Sequence, residues 1–151
     1  MVSLVTGGAG FIGSHLCEAL AEQGDSVIIL DDLSTGCREN IEYLSKQGLV
    51  EFIEGTVLDA DLVSKLVERA DRIFHLAAAV GVKLVLERPL HTARVNIWGS
   101  HNVLEAAIEC GGKTLLLAST SEVYGKQNGE CVSEDSLSLL GPVSEIRWIY
   151  G

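Results

Sequence analysis

The sequence predicts an α/β fold, a doubly wound parallel sheet of five strands in the order 3-2-1-4-5, forming one domain over residues 1–151. Three observations carry that expectation. Short apolar runs alternate with amphipathic stretches along the whole chain, the pattern of strands joined by crossover helices. The strand-like runs are almost continuously apolar, as strands covered on both faces are. Right-handed crossovers on the two faces of such a sheet then lead to the 3-2-1-4-5 order, with any ligand at the carboxyl ends of the strands.

The elements follow in order. Val2, Leu4 and Val5 make the first strand, which ends in a turn holding Gly7, Gly8, Gly10 and Gly13. Ile12, Leu16 and Leu20 recur at helical spacing, and Gly24 ends that helix as a cap. Ser26–Leu30 reads as the second strand, closed by Asp31 and Asp32. Ile41 and Leu44 predict a short helix ending near Gly48, followed by a third strand over Leu49–Ile53. Leu62, Val63, Leu66 and Val67 mark a helix over Asp61–Ala70. Arg72–Ala78 is the fourth strand, a long helix runs from about Thr92 to Cys110, and Lys113–Ser119 is the fifth strand.

Composition narrows the function. A formal net charge of −10 argues against a nucleic-acid surface, so an anionic ligand needs local cations or backbone N–H groups. No apolar run approaches the roughly 20 residues that span a bilayer, and with a strand starting at Val2 and no basic n-region before it, no secretory leader is expected. Cys17, Cys37, Cys110 and Cys131 show no metal-binding spacing and read as reduced thiols of a cytoplasmic protein. His15, His75, His91 and His101 suggest no metal site either, and His75 reads as a packed strand-end residue.

The glycine turn is the strongest chemical signal. Gly8, Gly10 and Gly13 fit the dinucleotide fingerprint, and Gly7, Gly10 and Gly13 its GxxGxxG variant. One glycine permits the tight turn, one lets backbone approach a pyrophosphate, and one lets helix and strand pack closely. The following helix presents N–H groups and a positive dipole end to phosphates. Asp31 comes 18 residues after Gly13, where a carboxylate would hold the adenosine ribose. Asp31 and Asp32 together repel a 2′-phosphate, which favours NAD over NADP. Arg38, in the loop beyond, would weaken that preference.

Six motifs in order give the chain a family resemblance. They are TGGAGFIG at Thr6–Gly13, DDLSTG at Asp31–Gly36, HLAAA at His75–Ala79, NIWGS at Asn96–Ser100, STSEVYG at Ser119–Gly125 and RWIYG at Arg147–Gly151. With them the chain resembles the extended short-chain dehydrogenase/reductase family, the NAD-dependent nucleotide-sugar epimerases, dehydratases and decarboxylases, built on a Rossmann-type sheet. The resemblance implies a cofactor site made of Gly7, Gly10, Phe11, Ile12 and Gly13, then Asp31, Asp32, Ser34, Thr35 and Gly36. Thr56 and Val57 would flank the adenine; Thr56 stands where family members often carry an aspartate. Leu76, Ala77, Ala78 and Ala79 would line the cofactor, with Asn96, Ser119 and Tyr150 toward its nicotinamide half.

The same resemblance implies the catalytic set. Thr120 takes the hydroxyl position, Tyr150 is the tyrosine base, and the triad lysine would fall three residues beyond Gly151. The chain is therefore expected to be a truncated, inactive piece of an enzyme that is competent at full length, lacking the later strands and the substrate domain. A homodimer is expected of the full-length enzyme, and a UDP-sugar is the expected substrate. Thr120–Ser121–Glu122 resembles the UDP-glucuronate decarboxylases, with Ser121, Glu122 and Arg147 on the substrate. Alternatives remain: a UDP-hexose 4-epimerase, a sugar 4,6-dehydratase, or a nucleotide-binding module without catalysis.

Overall fold

Strands β1 (Val2–Thr6), β2 (Ser26–Asp31), β3 (Val50–Glu54), β4 (Arg72–His75) and β5 (Thr114–Leu117) lie parallel in the order β3-β2-β1-β4-β5, as the alternation predicts. The computed structural model describes residues 1–125, 131–138 and 141–142, the side chain of residue 82 excepted. The register aligns Val5 with Ile29, Thr6 with His75 and Asp31 with Glu54. All five strands therefore point their carboxyl ends the same way, and the loops that follow them share one edge.

Helices cover both faces. They are α1 (Phe11–Glu22), α2 (Glu42–Lys46) behind a 3₁₀ turn at Arg38–Ile41, α3 (Ala60–Arg69), α4 (Val82–Glu87), α5 (Pro89–Ala93) and α6 (Ser100–Glu109). On one face Leu4, Ile28, Leu30 and Ile73 pack with Val63 and Val67 of α3 and Val103 and Ala106 of α6. On the other, Val5, Val27 and Ile29 pack with Cys17 and Leu20 of α1 and with Ile41 and Leu44. Successive strand residues feed opposite cores, so β1 and β2 read as unbroken apolar runs. Each fully buried Leu, Ile or Val contributes about 1.5–3 kcal/mol of transfer free energy.

Several sequence expectations change. Ile12 does not lie on the buried stripe of α1; it is 71% exposed, and the stripe runs through Gly13, Ser14, Cys17 and Leu20. Gly13 lies against the turn before it, where a side chain would not fit, and this rotates Ile12 outward. Double-sided burial holds for β1 and β2 but fails at the sheet edges. In β5, Leu116 and Leu117 are 51% and 47% exposed. The long helix begins earlier than expected, at Pro89, and runs through a widened π-type stretch at Arg94–Gly99 into α6. Proline suits that first position because the first-turn N–H has no intrahelical partner. The helix α4 had no sequence signal, because six residues are too few for a periodicity to show.

At the amino ends of the strands, away from the loop edge, one polar cluster ties three strands together. Arg72 Nη2 lies 2.8 Å from Asp25 Oδ2, Arg72 Nε donates to Ser3 Oγ at 2.9 Å, and the Ser3 hydroxyl donates to Asp25. The Ser3 hydrogen bond, with Arg72 beside it, holds the Asp25 carboxyl below the usual carboxylate range.

Candidate functional site: the carboxyl edge of the sheet

The turn between β1 and α1 is built from backbone contacts that side chains would block. Gly7 has φ +74°, and a Cβ on it would sit 2.7 Å from the Ala77 nitrogen at the end of β4. A Cβ on Gly13 would come within 2.2 Å of the Gly7 carbonyl oxygen. Gly10 differs: its Cβ would meet a single atom, the Gly7 oxygen, at 3.2 Å. Gly10 is also the N-cap of α1 and brings no side-chain cap to the first turn. The helix N-terminus therefore faces outward past an uncovered glycine, the arrangement that fits a phosphate.

Ala9, within this turn, is a hydrogen-bonding node. Its N–H donates to Asp31 Oδ2 at 3.0 Å, and its carbonyl accepts from Cys37 N–H at 3.1 Å and from Asn40 Nδ2 at 2.8 Å. Asp31 Oδ1 accepts the N–H of Leu33 at 2.8 Å, which holds Leu33 at φ +57°. Asp31 is 8% exposed, and each of its oxygens keeps a further lone pair after these bonds. Asp32 is exposed and accepts the Ser34 N–H at 2.9 Å, leaving Ser34 and Thr35 on an open loop. Gly36 closes that loop onto the turn; a Cβ there would lie 2.8 Å from the Ala9 carbonyl carbon. The Cys17 thiol beneath is pushed up to about 12 by burial, with Asp31 adding to the effect, and is inert.

Two more asparagines hold the neighbouring loops. After β3, Thr56 Oγ1 accepts the Leu58 N–H at 3.3 Å, and the buried Val57 gives its carbonyl to Asn102 Nδ2 at 2.9 Å. The helix comes this close because residue 99 is glycine, whose Cβ would lie 2.5 Å from Val57 Cγ2. After β4, Leu76 N–H donates to the Thr6 carbonyl at 3.0 Å and Ala77 N–H to Thr6 Oγ1 at 3.3 Å. Asn96 takes the Ala79 N–H on Oδ1 at 2.8 Å and returns Nδ2 to the Ala79 carbonyl at 3.3 Å. Ala77 and Ala78 are half-buried and Ala79 is buried.

His75 is 2% exposed between Thr6 Oγ1, 2.6 Å from Nδ1, and Ser100 Oγ, 3.1 Å from Nε2. Burial lowers its pKa to about 4, so it is neutral at pH 7. It packs the strand end, as the sequence suggests. Among the described residues no three His, Cys, Asp or Glu side chains gather as metal ligands.

At the end of β5, Ala118 N–H donates to the His75 carbonyl at 3.0 Å, which carries Ser119 and Thr120 to the same edge. Thr120 caps a 3₁₀ turn over Ser121–Tyr124, its Oγ1 accepting the Glu122 N–H at 3.3 Å and keeping its own proton to donate. Ser121 is exposed and Glu122 half-exposed. Arg147 and Tyr150 lie outside the described residues.

The structure thus brings the residues expected at the ends of β1 to β5 to one edge. Sequence reasoning missed Asn40 and Asn102, whose bonding partners lie 31 and 45 residues away. No local pattern marks them.

The comparisons with known proteins agree with this geometry. The model of the NAD dependent epimerase/dehydratase family matches residues 3–151. The chain is 44% identical over 147 residues to a UDP-N-acetyl-alpha-D-glucosaminuronate decarboxylase of Bacillus cytotoxicus, covering 97% of this chain and 44% of that protein. It is 41% identical over 137 residues to a UDP-glucose 4-epimerase of Mycolicibacterium smegmatis, covering 89% of this chain and 44% of that one. Among solved structures, the UDP-Glc/GlcNAc 4-epimerase of Campylobacter jejuni superposes with a TM-score of 0.84 at 31% identity, over 92% of this chain and 43% of that one. The UDP-glucose 4-epimerase of Thermus thermophilus, in complex with NAD, gives 0.78 at 40% identity, over 89% and 43%. The chain spans less than half the length of each of these proteins. With a family match that runs from Ser3 to Gly151 and relatives that agree in sequence and in fold, the chain belongs to the NAD dependent epimerase/dehydratase family.

Proposed function

We propose that residues 1–151 form the NAD-binding domain of a nucleotide-sugar enzyme working through a transient 4-keto sugar, and that its reaction is decarboxylation of a UDP-glucuronate-type substrate. The observation that carries the cofactor part is the uncovered Gly10 at the N-terminus of α1, with Asp31 bonded to the same turn. Phe11 and Ile12 lie exposed beside it. In the reading adopted, Gly7, Gly10 and Gly13 seat the pyrophosphate, Asp31 and Asp32 the ribose, and Ser34, Thr35 and Gly36 close the loop over it. Thr56 and Val57 flank the adenine, and Leu76 to Ala79 with Asn96 and Ser119 line the remainder.

NAD, when bound, supplies a hydride acceptor and later returns the hydride. Tyr150 takes the proton of the sugar 4-hydroxyl as that carbon is oxidised, and the Thr120 hydroxyl hydrogen-bonds the same oxygen. With a ketone at carbon 4, a carboxylate on carbon 5 is that of a β-keto acid. Its carbon–carbon bond breaks to release carbon dioxide, leaving the electron pair as an enolate. Glu122 then handles the proton that returns to carbon 5, and Arg147 binds the substrate carboxylate with its planar fork.

The Bacillus cytotoxicus relative, named as a uronate decarboxylase, supports this choice. The solved epimerases support a second reading, 4-epimerisation, in which the ketone turns over and takes the hydride back. A homodimer of the full-length protein belongs to the same proposal; Ile97, Leu104 and Ile108, exposed along one helix face, support it.

The test is product analysis of the full-length protein with UDP-glucuronate and UDP-glucose, in wild type and Glu122→Gln. Decarboxylation predicts carbon dioxide from UDP-glucuronate and a loss of about a hundredfold or more in the variant. Wild-type rates in Glu122→Gln would remove that residue from the mechanism, and turnover of UDP-glucose alone would favour epimerisation.

A further inference from the structure

Asp31 and Glu54 stand in register at the ends of β2 and β3, so their side chains leave the same face of the sheet from backbones about 5 Å apart. Two residues earlier, Ile29 and Phe52 are paired on that face and pack into the same core. Arg38, seven residues along the chain from Asp31, reaches the end of β3. Its guanidinium carbon sits 4.7 Å from the centre of the Phe52 ring, and its Nη2 is 2.7 Å from Glu54 Oε2. The guanidinium is thus engaged on its flat face by Phe52 and at Nη2 by Glu54, whose neighbour in register on β2 is Asp31.

An arginine in this loop is the group that would accept a 2′-phosphate, through a forked pair of hydrogen bonds. The sequence left Arg38 as a reason for the NAD preference to fail; the structure shows what occupies it. We propose that Glu54 is a cofactor-specificity residue, which holds Arg38 on Phe52 and sets another carboxylate beside Asp31, so that the 2′-phosphate of NADP finds no available cation. The proposal rests on the reading of Asp31 as the ribose residue. Arg38 and Glu54 are 61% and 58% exposed, and an ion pair in water is weak by itself. Two things reinforce it: the Phe52 ring, which adds a cation–π contact, and the charge of Glu54, which acts on a phosphate within the screening length.

The test is calorimetric titration of the full chain with NAD and with NADP, for wild type, Glu54→Gln, Glu54→Ala, Arg38→Ala and the Glu54→Gln/Arg38→Ala double variant. Both Glu54 substitutions are on an exposed position of an edge strand, and circular dichroism checks the fold. Removing the Glu54 charge should tighten NADP about tenfold and leave NAD within about twofold. Adding Arg38→Ala should erase most of the gain, because the released guanidinium is its source. Unchanged NADP affinity in both Glu54 variants, with NAD still bound, would overturn the proposal while sparing the reading of Asp31. A gain that survives the loss of Arg38 would overturn the restraint of Arg38. Failure of the wild type to bind either dinucleotide would overturn the reading of Asp31 and the proposal with it.

Discussion

The Asp31 carboxylate reaches back across the sheet and accepts the Ala9 N–H at 3.0 Å, so the residue proposed to hold the ribose also braces the turn proposed to hold the phosphates. Asp31→Ala leaves the N–H groups of Ala9 and Leu33 without their acceptor. It should destabilise the chain by about 2 kcal/mol and abolish NAD binding. Asp31→Asn keeps one acceptor oxygen and should cost about half as much. Urea unfolding and NAD titration on the same samples check both.

Gly10 and Gly13 should respond differently to the same added methyl group. Gly13→Ala drives a Cβ to 2.2 Å from the Gly7 oxygen and should cost about 3 kcal/mol of stability. Gly10→Ala adds a contact at 3.2 Å at an ordinary φ of −75° and replaces an N-cap glycine, so stability should fall by no more than about 1 kcal/mol. NAD binding in Gly10→Ala should nevertheless weaken by about tenfold or more, because the methyl enters the space proposed for the phosphates. Thermal unfolding and calorimetry separate the two effects.

Asn96→Ala removes both bonds to the Ala79 backbone. A loss of about 1–2 kcal/mol is expected, with faster amide exchange at Ala79. Ala77 N–H, bonded to Thr6 instead, should keep its protection.

His75 makes the stability depend on pH in a defined direction. The folded chain holds His75 neutral down to about pH 4, whereas the unfolded imidazole takes a proton near its ordinary value of 6.5. Between those values the unfolded state binds more protons, so stability falls as pH drops from 6.5 toward 4, by about 3 kcal/mol in all. Above 6.5 the contribution is constant. His75→Gln should unfold with a flatter dependence in that window, measured as urea midpoints from pH 7.5 to 4.5; equal slopes would show that His75 is not the group.

Among the described strands β5 pairs with β4 alone, and it exposes Leu116 and Leu117. An apolar edge of this kind recruits another chain. Light scattering should show self-association in the micromolar range, and Leu117→Lys should reduce it.

The strand order was legible in the amino-acid pattern, because alternation and right-handed crossovers leave few other ways to cover apolar strands. So were the glycine turn and the acidic end of β2, since those signals are local: a turn needs its glycines within a few residues. What those residues do to one another depended on packing between distant segments. That Gly13 must be bare because of Gly7, that Asn40, Asn96 and Asn102 hold three separate loops, and that Arg38 is committed to Glu54 are facts about residues 6 to 45 positions apart. The same separation explains the error at Ile12, whose helical spacing suggested burial. Which face of a helix turns inward is set by what it packs against, and in α1 that was a glycine against a backbone carbonyl rather than the most apolar stripe.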